Sequence, residues 1–450
     1  MRPAGWKEVV ELCQTRACCA CVTLLLASVP LHAQDNDPRA ISEQPPPAQD
    51  NLSTTSDQSA GAAPQGTVWT ERLTMRVKAI EEQADQVVDS LHRRGFFPSV
   101  KSIIPGSGLA FGGRLRDDHL FSWPIGAEVE ALWSVRGHQL YAVRLGIIDQ
   151  ARDMLQLDGP DTNVTNLFND HEATNPGTAL FVVATYQHAP QLNYFGVGGV
   201  GGARADFGLR STSLELVGQW QPATWLGLTS RIGVAQFDVE EGVRTDQGDV
   251  AAMYTTSSAP GLHERPRYLT VGGAAVVDFR DHHLFPTEGL FGGGAVWRMM
   301  PNADAHYGFT RAAVDIRAFV PLGSPKHVAA FHFLGAIDDS PPSEPTPFYL
   351  QYWLGGSQSL RAYPSYHVRG EALAHLTVEY RWRVIDAIHL VAFADVGDVG
   401  PDFQTLQLTT AHATPGLGVW IGDRNRLFSR IDWAYGRAGH RIFWSLSPSF

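Results

Sequence analysis

From about Pro105 to Phe450 the chain alternates apolar and polar residues with a period of two, which restricts it to strands whose two faces meet different surroundings. Clear segments are Glu128–Val135, Gln139–Ile147, Ala179–Gln187, Ser213–Trp220, Leu226–Phe237, Tyr268–Phe279, Gly289–Trp297, Phe309–Val320, Val328–Ile337, Ala372–Val384, Ile388–Gly397, Gly416–Ile421, Leu427–Tyr435 and Gly439–Leu446. A first strand is expected near Leu109–Leu115.

Which surroundings these are follows from composition. Hydrophobic residues are 44%, charged residues 18% and glycines number 44. No apolar run after the amino terminus reaches the roughly 18 to 20 residues a spanning helix requires. A strand with lipid on one side and water on the other needs only alternate apolar residues, so a low average hydropathy does not imply solubility. The expected fold is an all-β membrane protein, a transmembrane antiparallel β-barrel over residues 105–450. The segments number about fifteen and single-chain bacterial barrels favour an even count, so sixteen strands are predicted, the unplaced one within Asp149–Gly177. Trp123, Trp133, Tyr186, Tyr194, Trp225, Tyr268, Trp297, Tyr352, Trp353, Trp433, Tyr435 and Trp444 sit near segment ends, where aromatic girdles belong. A soluble sandwich would show the same alternation.

The amino terminus reads as a secretory signal over residues 1–33: Arg2, Lys7 and Arg16 precede an apolar stretch from Ala17 to Leu31, and Ala33 ends it. Cys13, Cys18, Cys19 and Cys21 all fall within it, so the exported protein is expected to have no disulfide. A lipoprotein reading at Ala20-Cys21 fits poorly, because Cys21 lies at the start of the apolar core instead of after it. Residues 34–66, with Pro45-Pro46-Pro47, lack the apolar content that offsets ordering entropy and are expected to be a disordered linker. Over residues 67–97, Leu73, Val77, Ile80, Ala84, Val87, Val88 and Leu91 recur at helical spacing, with Gly95 as a stop, predicting one short amphipathic periplasmic helix. Such a stripe is more often a packing face than a partner site.

The stretch Gly355-Gly356-Ser357-Gln358-Ser359-Leu360-Arg361-Ala362-Tyr363, followed by the strands holding Glu379 and Asp395, resembles the carboxy-terminal signature of the outer-membrane barrel superfamily that includes BamA, TamA and the two-partner secretion transporters. Asp278-Phe279-Arg280-Asp281 with Pro286 and Gly289 is similar to a strand-turn-strand element of these barrels, and Tyr194-Phe195-Gly196-Val197-Gly198 to another. The likeness covers roughly Gly106 to Phe450. Residues 67–97 are too short and strand-poor for even one POTRA domain, the periplasmic module such relatives carry. The carboxy terminus resembles barrels of this compartment in closing on an aromatic residue, with Ile442, Trp444, Leu446 and Phe450 as the terminal strand signal. Pro448 cannot donate to a ladder, so the last strand is expected to end early.

In that superfamily a long loop folds back into the barrel and its motif arginine meets acidic residues of the inner wall. The resemblance therefore implies that Leu360, Arg361, Ala362 and Tyr363 form a loop lock whose lumen partners are Glu379 and Asp395. Ala362 stands where the superfamily has glycine, adding a β-carbon where packing is closest. The alternative is that Glu379 and Asp395 are simply polar residues facing a wet lumen.

Other chemistry finds no support in the residues. Gly196-Val197-Gly198-Gly199-Val200-Gly201 formally fits G-x-G-x-x-G, but no helix pattern follows, so its condition as a nucleotide site fails. His282-His283 beside Asp281 reads as a polar turn, since adjacent residues in an extended turn point apart. Without an identifiable nucleophile and base the chain is not expected to be an enzyme, and no cofactor or metal is implied. A net charge of −11 speaks against a nucleic-acid partner. The expected setting is the cell outer membrane, with lipopolysaccharide or phospholipid as neighbours and client outer-membrane proteins or periplasmic proteins as partners. Two functions fit: insertion or translocation of proteins or lipids, or a stand-alone surface-antigen barrel or pore with a structural or passive role.

Overall fold

The computed structural model describes residues 95–450 apart from 118–119, 121–124, 148–176, 199–201, 244–247, 303–305, 408–411, 423–426 and 447. The expected signal, linker and nearly all of the expected helix thus lie outside the described residues.

One antiparallel sheet of sixteen strands dominates the chain. Its first part runs β1 (Phe96–Lys101), β2 (Ala110–Asp117), β3 (Gly126–Ser134), β4 (Gln139–Ile147), β5 (Gly177–Tyr194), β6 (Ala205–Ala223), β7 (Leu226–Glu241), β8 (Arg267–Asp278), β9 (Gly289–Pro301), β10 (Phe309–Pro321) and β11 (His327–Asp339). It continues with β14 (Ala372–Ile385), β15 (Ile388–Gly400), β16 (His412–Gly422), β17 (Leu427–Gly436) and β18 (Gly439–Ser445). Between β11 and β14 the chain leaves the sheet, and there β12 (Tyr352–Leu354) pairs with β13 (Val368–Gly370) as a small hairpin of their own. A single helical turn, α1 (Val250–Met253), lies between β7 and β8.

The expected segments fall on β2 to β11 and β14 to β18. The remaining strand of the described sheet is β1; of Asp149–Gly177, where one was expected, only Gly177 is among the described residues. Gly95, expected to stop a helix, turns at φ +73° directly into it, and Phe96 and Phe97, which fell within the expected helical segment 67–97, pair with Leu115 and Arg114. Pro98 obscured the strand, since proline argues against a central strand; β1 has one neighbour, and an edge tolerates it.

The alternation is inside-out. Along β14, Leu376, Val378, Tyr380 and Trp382 are exposed while Thr377, Glu379 and Arg381 between them are buried. Exposed Ile431 and Trp433 flank buried Asp432 on β17 in the same way. A water-soluble sandwich would bury the apolar set, so this burial separates the two readings that alternation alone left open.

The polar face is concave and wraps a loop. Phe348, between β11 and β12, packs on Tyr194 of β5 and Phe207 of β6, each at 4.9 Å, and the Tyr352 hydroxyl reaches the Ala312 carbonyl of β10 at 3.3 Å. More decisively, Ala362 and Ser365, three residues apart, lie against Gly436 of β17 and Gly106 just after β1, positions about 67 Å apart if the sheet were flat. The sheet therefore curls around the loop.

Two sequence expectations change. Tyr194, Tyr268, Trp297, Tyr352 and Trp353, expected in the outer girdles, are buried on the concave side, where they pack against the loop or one another; Trp133, Trp225, Trp433, Tyr435 and Trp444 do face outward. Phe450, expected with Ile442, Trp444 and Leu446 as one terminal strand signal, lies apart from the last strand, which ends early as Pro448 implied. β18 stops at Ser445, and Phe450 stacks on His332 at 4.8 Å and Phe319 at 6.1 Å inside the sheet. Ile442 and Trp444 remain exposed on β18, and Leu446 follows its end.

If the exposed apolar face meets lipid, Val378→Arg should cost about 2–4 kcal/mol near mid-membrane. Urea unfolding in phospholipid vesicles measures this; a neutral substitution would place that face in water.

Candidate functional site

The connection from β11 to β14 is tied at its root before it enters the interior. Arg311 of β10 grips Asp338 with two parallel bonds of 2.8 Å and also donates to the Leu350 carbonyl. Glu371 accepts from the Ser340 hydroxyl and, at 2.7 Å, from the Thr346 amide. The β12–β13 hairpin then closes off residues 355–367. Gly355 sits at φ +117°, and a β-carbon there would stand 2.0 Å from the Pro364 carbonyl oxygen, so only glycine allows the chain to fold back on itself. A turn bonded from Tyr363 N–H to the Leu360 carbonyl at 3.0 Å presents Arg361 at its tip.

Arg361 is 1% exposed and meets three carboxylates. Its Nε and Nη2 donate to Asp395 at 3.0 and 2.7 Å, its backbone N–H to the same carboxylate at 3.3 Å, and its Nη1 to Asp432 at 3.2 Å. Glu379 Oε1 lies 3.0 Å from Nη2 as an ion-pair contact without hydrogen-bond geometry. The guanidinium also lies over the Phe393 ring at 3.3 Å. Hydroxyls of Thr377 and Thr414 complete Asp395 at 3.0 and 2.9 Å, and the Trp420 indole donates to Asp432 at 3.0 Å.

Two further arginines balance the charge. Arg381 holds Glu379 at 2.8 Å, Arg430 lies 3.3 Å from Asp432, and Arg430 also donates to the Ser357 carbonyl of the loop at 2.5 Å. Three guanidiniums thus share a buried site with three carboxylates, which is what makes burial of so many charges tolerable. Burial opposes the Arg361 charge, but Asp395 and Glu379 outweigh it and raise the guanidinium above its ordinary value, so it stays protonated. Arg381 itself lies among the rings of Phe450, Trp420 and Phe319, at 4.8, 5.0 and 5.3 Å.

Leu360, Arg361, Ala362 and Tyr363 are all buried, and the loop brings Arg361 to both Glu379 and Asp395. Asp432, Arg381 and Arg430 were missed, although Asp432 and Arg381 each stand between outward apolar neighbours in an alternating strand and Arg430 precedes outward Ile431. Of the terminal residues only Phe450 touches the cluster, through Arg381. Ala362 is accommodated by Gly436 of β17, where a β-carbon would stand 2.9 Å from that of Ala362. The β-carbon the superfamily motif lacks is thus offset by one missing from the wall.

The other resembling elements support the same loop or close a turn. Tyr194 donates to the Ser258 carbonyl at 2.5 Å and Phe195 packs on His367 at 4.7 Å. Asp278 holds Arg280 with bonds of 2.9 and 2.7 Å, and Asp281 accepts from the Thr287 hydroxyl at 2.6 Å.

Residues 226–436 match the Omp85 superfamily domain, which bears out the resemblance read from the motifs. Among solved structures, BamA from Haemophilus ducreyi lacking POTRA domains 1–3 is similar at 13% identity and a TM-score of 0.53, over 80% of this chain and 78% of that one. CdiB from Escherichia coli aligns at 11% identity and a TM-score of 0.44, over 77% of this chain and 61% of that one. CdiB from Acinetobacter baumannii aligns at 9% identity and a TM-score of 0.45, over 78% and 59%. The chain thus spans less than two thirds of either CdiB. No curated protein matches it.

Two outcomes are expected of the loop. Arg361→Ala leaves three carboxylates without their shared cation and should cost about 3–5 kcal/mol, and its cycle with Glu379→Gln should show coupling of at least about 1 kcal/mol. Chemical denaturation reads both, and additive effects would mean the charges do not share one network. The second concerns pH. Burial, with the charges of His412 and Arg441, pulls the His367 imidazole down to about 4. The unfolded chain takes up that proton near pH 6.5 and the folded loop only near 4, so its stability is complete above about 7, falls as pH drops through that window and levels off below it. Protease cleavage between Pro341 and Gly370 should rise from pH 7.5 to 5 and be flatter in His367→Gln; an equal slope in both would remove His367 from the account.

Proposed function

Starting from an Omp85 superfamily domain over residues 226–436, we propose that the chain is a sixteen-stranded outer-membrane barrel that inserts or translocates polypeptides. Its outward apolar face meets lipopolysaccharide and phospholipid, its clients are other outer-membrane proteins, and periplasmic proteins deliver them. Closure is supported by the loop, whose residues three apart approach both ends of the sheet: a β-carbon at Gly436, on β17, would meet Ala362, and one at Gly106, just after β1, would stand 3.7 Å from the Ser365 hydroxyl.

The observation that carries the reading is strand length at the edges. A strand crosses a bilayer core with roughly 9–11 residues. β6 has 19 residues, whereas β1 has 6 and β18 has 7, and among the described residues no ladder joins these two. A seam between two short strands exchanges few hydrogen bonds, so it is the place where the wall parts at least cost and where a client strand can add to a free edge. Arg361 and its partners on β14, β15 and β17 meanwhile keep the wall beside the seam rigid. A passive pore is the weaker reading, because Phe348–Leu354 and Ser359–Tyr363 are buried within the interior a solute would have to cross. Neither function requires catalysis or a cofactor.

The test uses the absence of any cysteine after Cys21. One cysteine placed on Phe96–Lys101 and one on Gly439–Ser445 should crosslink in pairs that face each other. The oxidised protein should keep its folded mobility on gels yet lose assembly of client barrels in proteoliposomes, and reduction should restore it. Full client assembly with the seam crosslinked would contradict the proposal.

A further inference from the structure

A second charged group of the loop is paired quite differently from Arg361. Arg369 of β13 is 1% exposed, and its Nη1 donates to the Phe348 carbonyl at 3.1 Å. Arg317, Arg361 and Arg430, buried to the same degree, each stand beside a carboxylate. Arg369 has no such partner among the described residues. Its Nε has no hydrogen-bond acceptor, and the guanidinium instead lies 5.1 Å from the Tyr366 ring. Burial without a countercharge pulls it down to about 10, with Tyr366 and Tyr194 working the other way.

Arg369 lines a cavity of about 40 Å³ between the loop and the wall strands β5 to β7. Tyr349 and Tyr366 line it from the loop, and Gln187, Ser211 and Phe237 from the wall. The Tyr349 hydroxyl, on a side chain also 1% exposed, is a second buried donor without an acceptor. No aspartate or glutamate lines the space. A water needs at least about 10–15 Å³ measured this way, so the cavity admits a group of a few heavy atoms. Two orphan donors, one of them cationic, in a pocket without an acidic residue call for an acceptor that carries one negative charge.

We propose that this cavity binds a carboxylate, gripped by Arg369 and the Tyr349 hydroxyl, which fastens the loop to β5–β7 as a second, ligand-dependent anchor. A carboxylate matches the planar guanidinium fork and neutralises its single charge. A phosphate monoester, with about 1.5 to 2 negative charges, would leave excess charge buried. The carboxylate belongs either to a free organic acid or to an acidic side chain of a polypeptide. The inference is independent of the insertase reading, since it concerns how the loop is held and not what crosses the membrane.

Full-length protein in nonionic detergent tests it, with protease cleavage of residues 341–370 and thermal unfolding followed against sodium acetate, and sodium chloride at matched ionic strength as control. Acetate should slow cleavage several-fold and raise the unfolding midpoint where chloride does not. Tyr349→Phe should weaken the response roughly tenfold, the loss of one hydrogen bond to a charged group. Arg369→Gln should abolish it; should that variant fail to fold, Tyr349→Phe decides alone. A short glutamate peptide, run beside its glutamine analogue, separates the sources: protection by the glutamate peptide alone assigns the site to polypeptide, and protection by acetate assigns it to free acids. No protection by acetate beyond chloride together with none by the glutamate peptide beyond its glutamine analogue, or an unchanged response in Tyr349→Phe, would overturn the proposal.

Discussion

Everything the interior of this protein does depends on how the charge of Arg361 is received. Removing a guanidinium and three carboxylates from water costs several kcal/mol per ion, and only close, saturated pairing recovers it. The pairing is close: five donors converge on Asp395, from Arg361, Thr377 and Thr414. Because the partners come from β14, β15 and β17, the same bonds that hold the loop also hold three wall strands at a fixed curvature. Loop, wall and cluster are therefore one cooperative unit.

Much of this was legible in the sequence, for a physical reason. A strand that faces lipid on one side and a polar interior on the other is forced into period two, and the segments read that way fall on fifteen strands of the sheet. β1 escaped because it is short, contains Pro98 and follows a helical pattern. Glu379 and Asp395 were found by resemblance, but Asp432 and Arg430 could have been found by alternation alone, as charges flanking outward Ile431. What alternation cannot give is which tyrosines and tryptophans turn inward. Tyr194 and Trp297 do so because the loop offers them apolar surface, a contact invisible to local pattern, and Trp353 belongs to that loop. Phe450 likewise looked like part of the terminal strand signal; once Pro448 denies the ladder an amide, the tail is free to place its ring against Arg381.

The interior has a gradient of attachment. At its root the loop is fixed by Arg311 and Glu371, at its tip by Arg361, and between them Tyr349 and Arg369 face the wall with donors to spare. Against this the edges of the sheet are its shortest strands. Rigidity concentrated beside a weak edge is what a wall that opens at one place requires, because strain then relaxes at the seam and not throughout the sheet.

The central claim is that the Leu360–Tyr363 turn is locked against the wall and not solvated within it. Hydrogen exchange of the peptide spanning residues 355–364 tests this most directly, since the Arg361 amide donates to Asp395 and the Tyr363 amide to Leu360. The account predicts protection approaching that of the β14 and β15 amides in the native protein, with exchange accelerated in Asp395→Asn while the strands stay protected. Exchange within seconds in the native protein, or the same slow rate in Asp395→Asn, would contradict it.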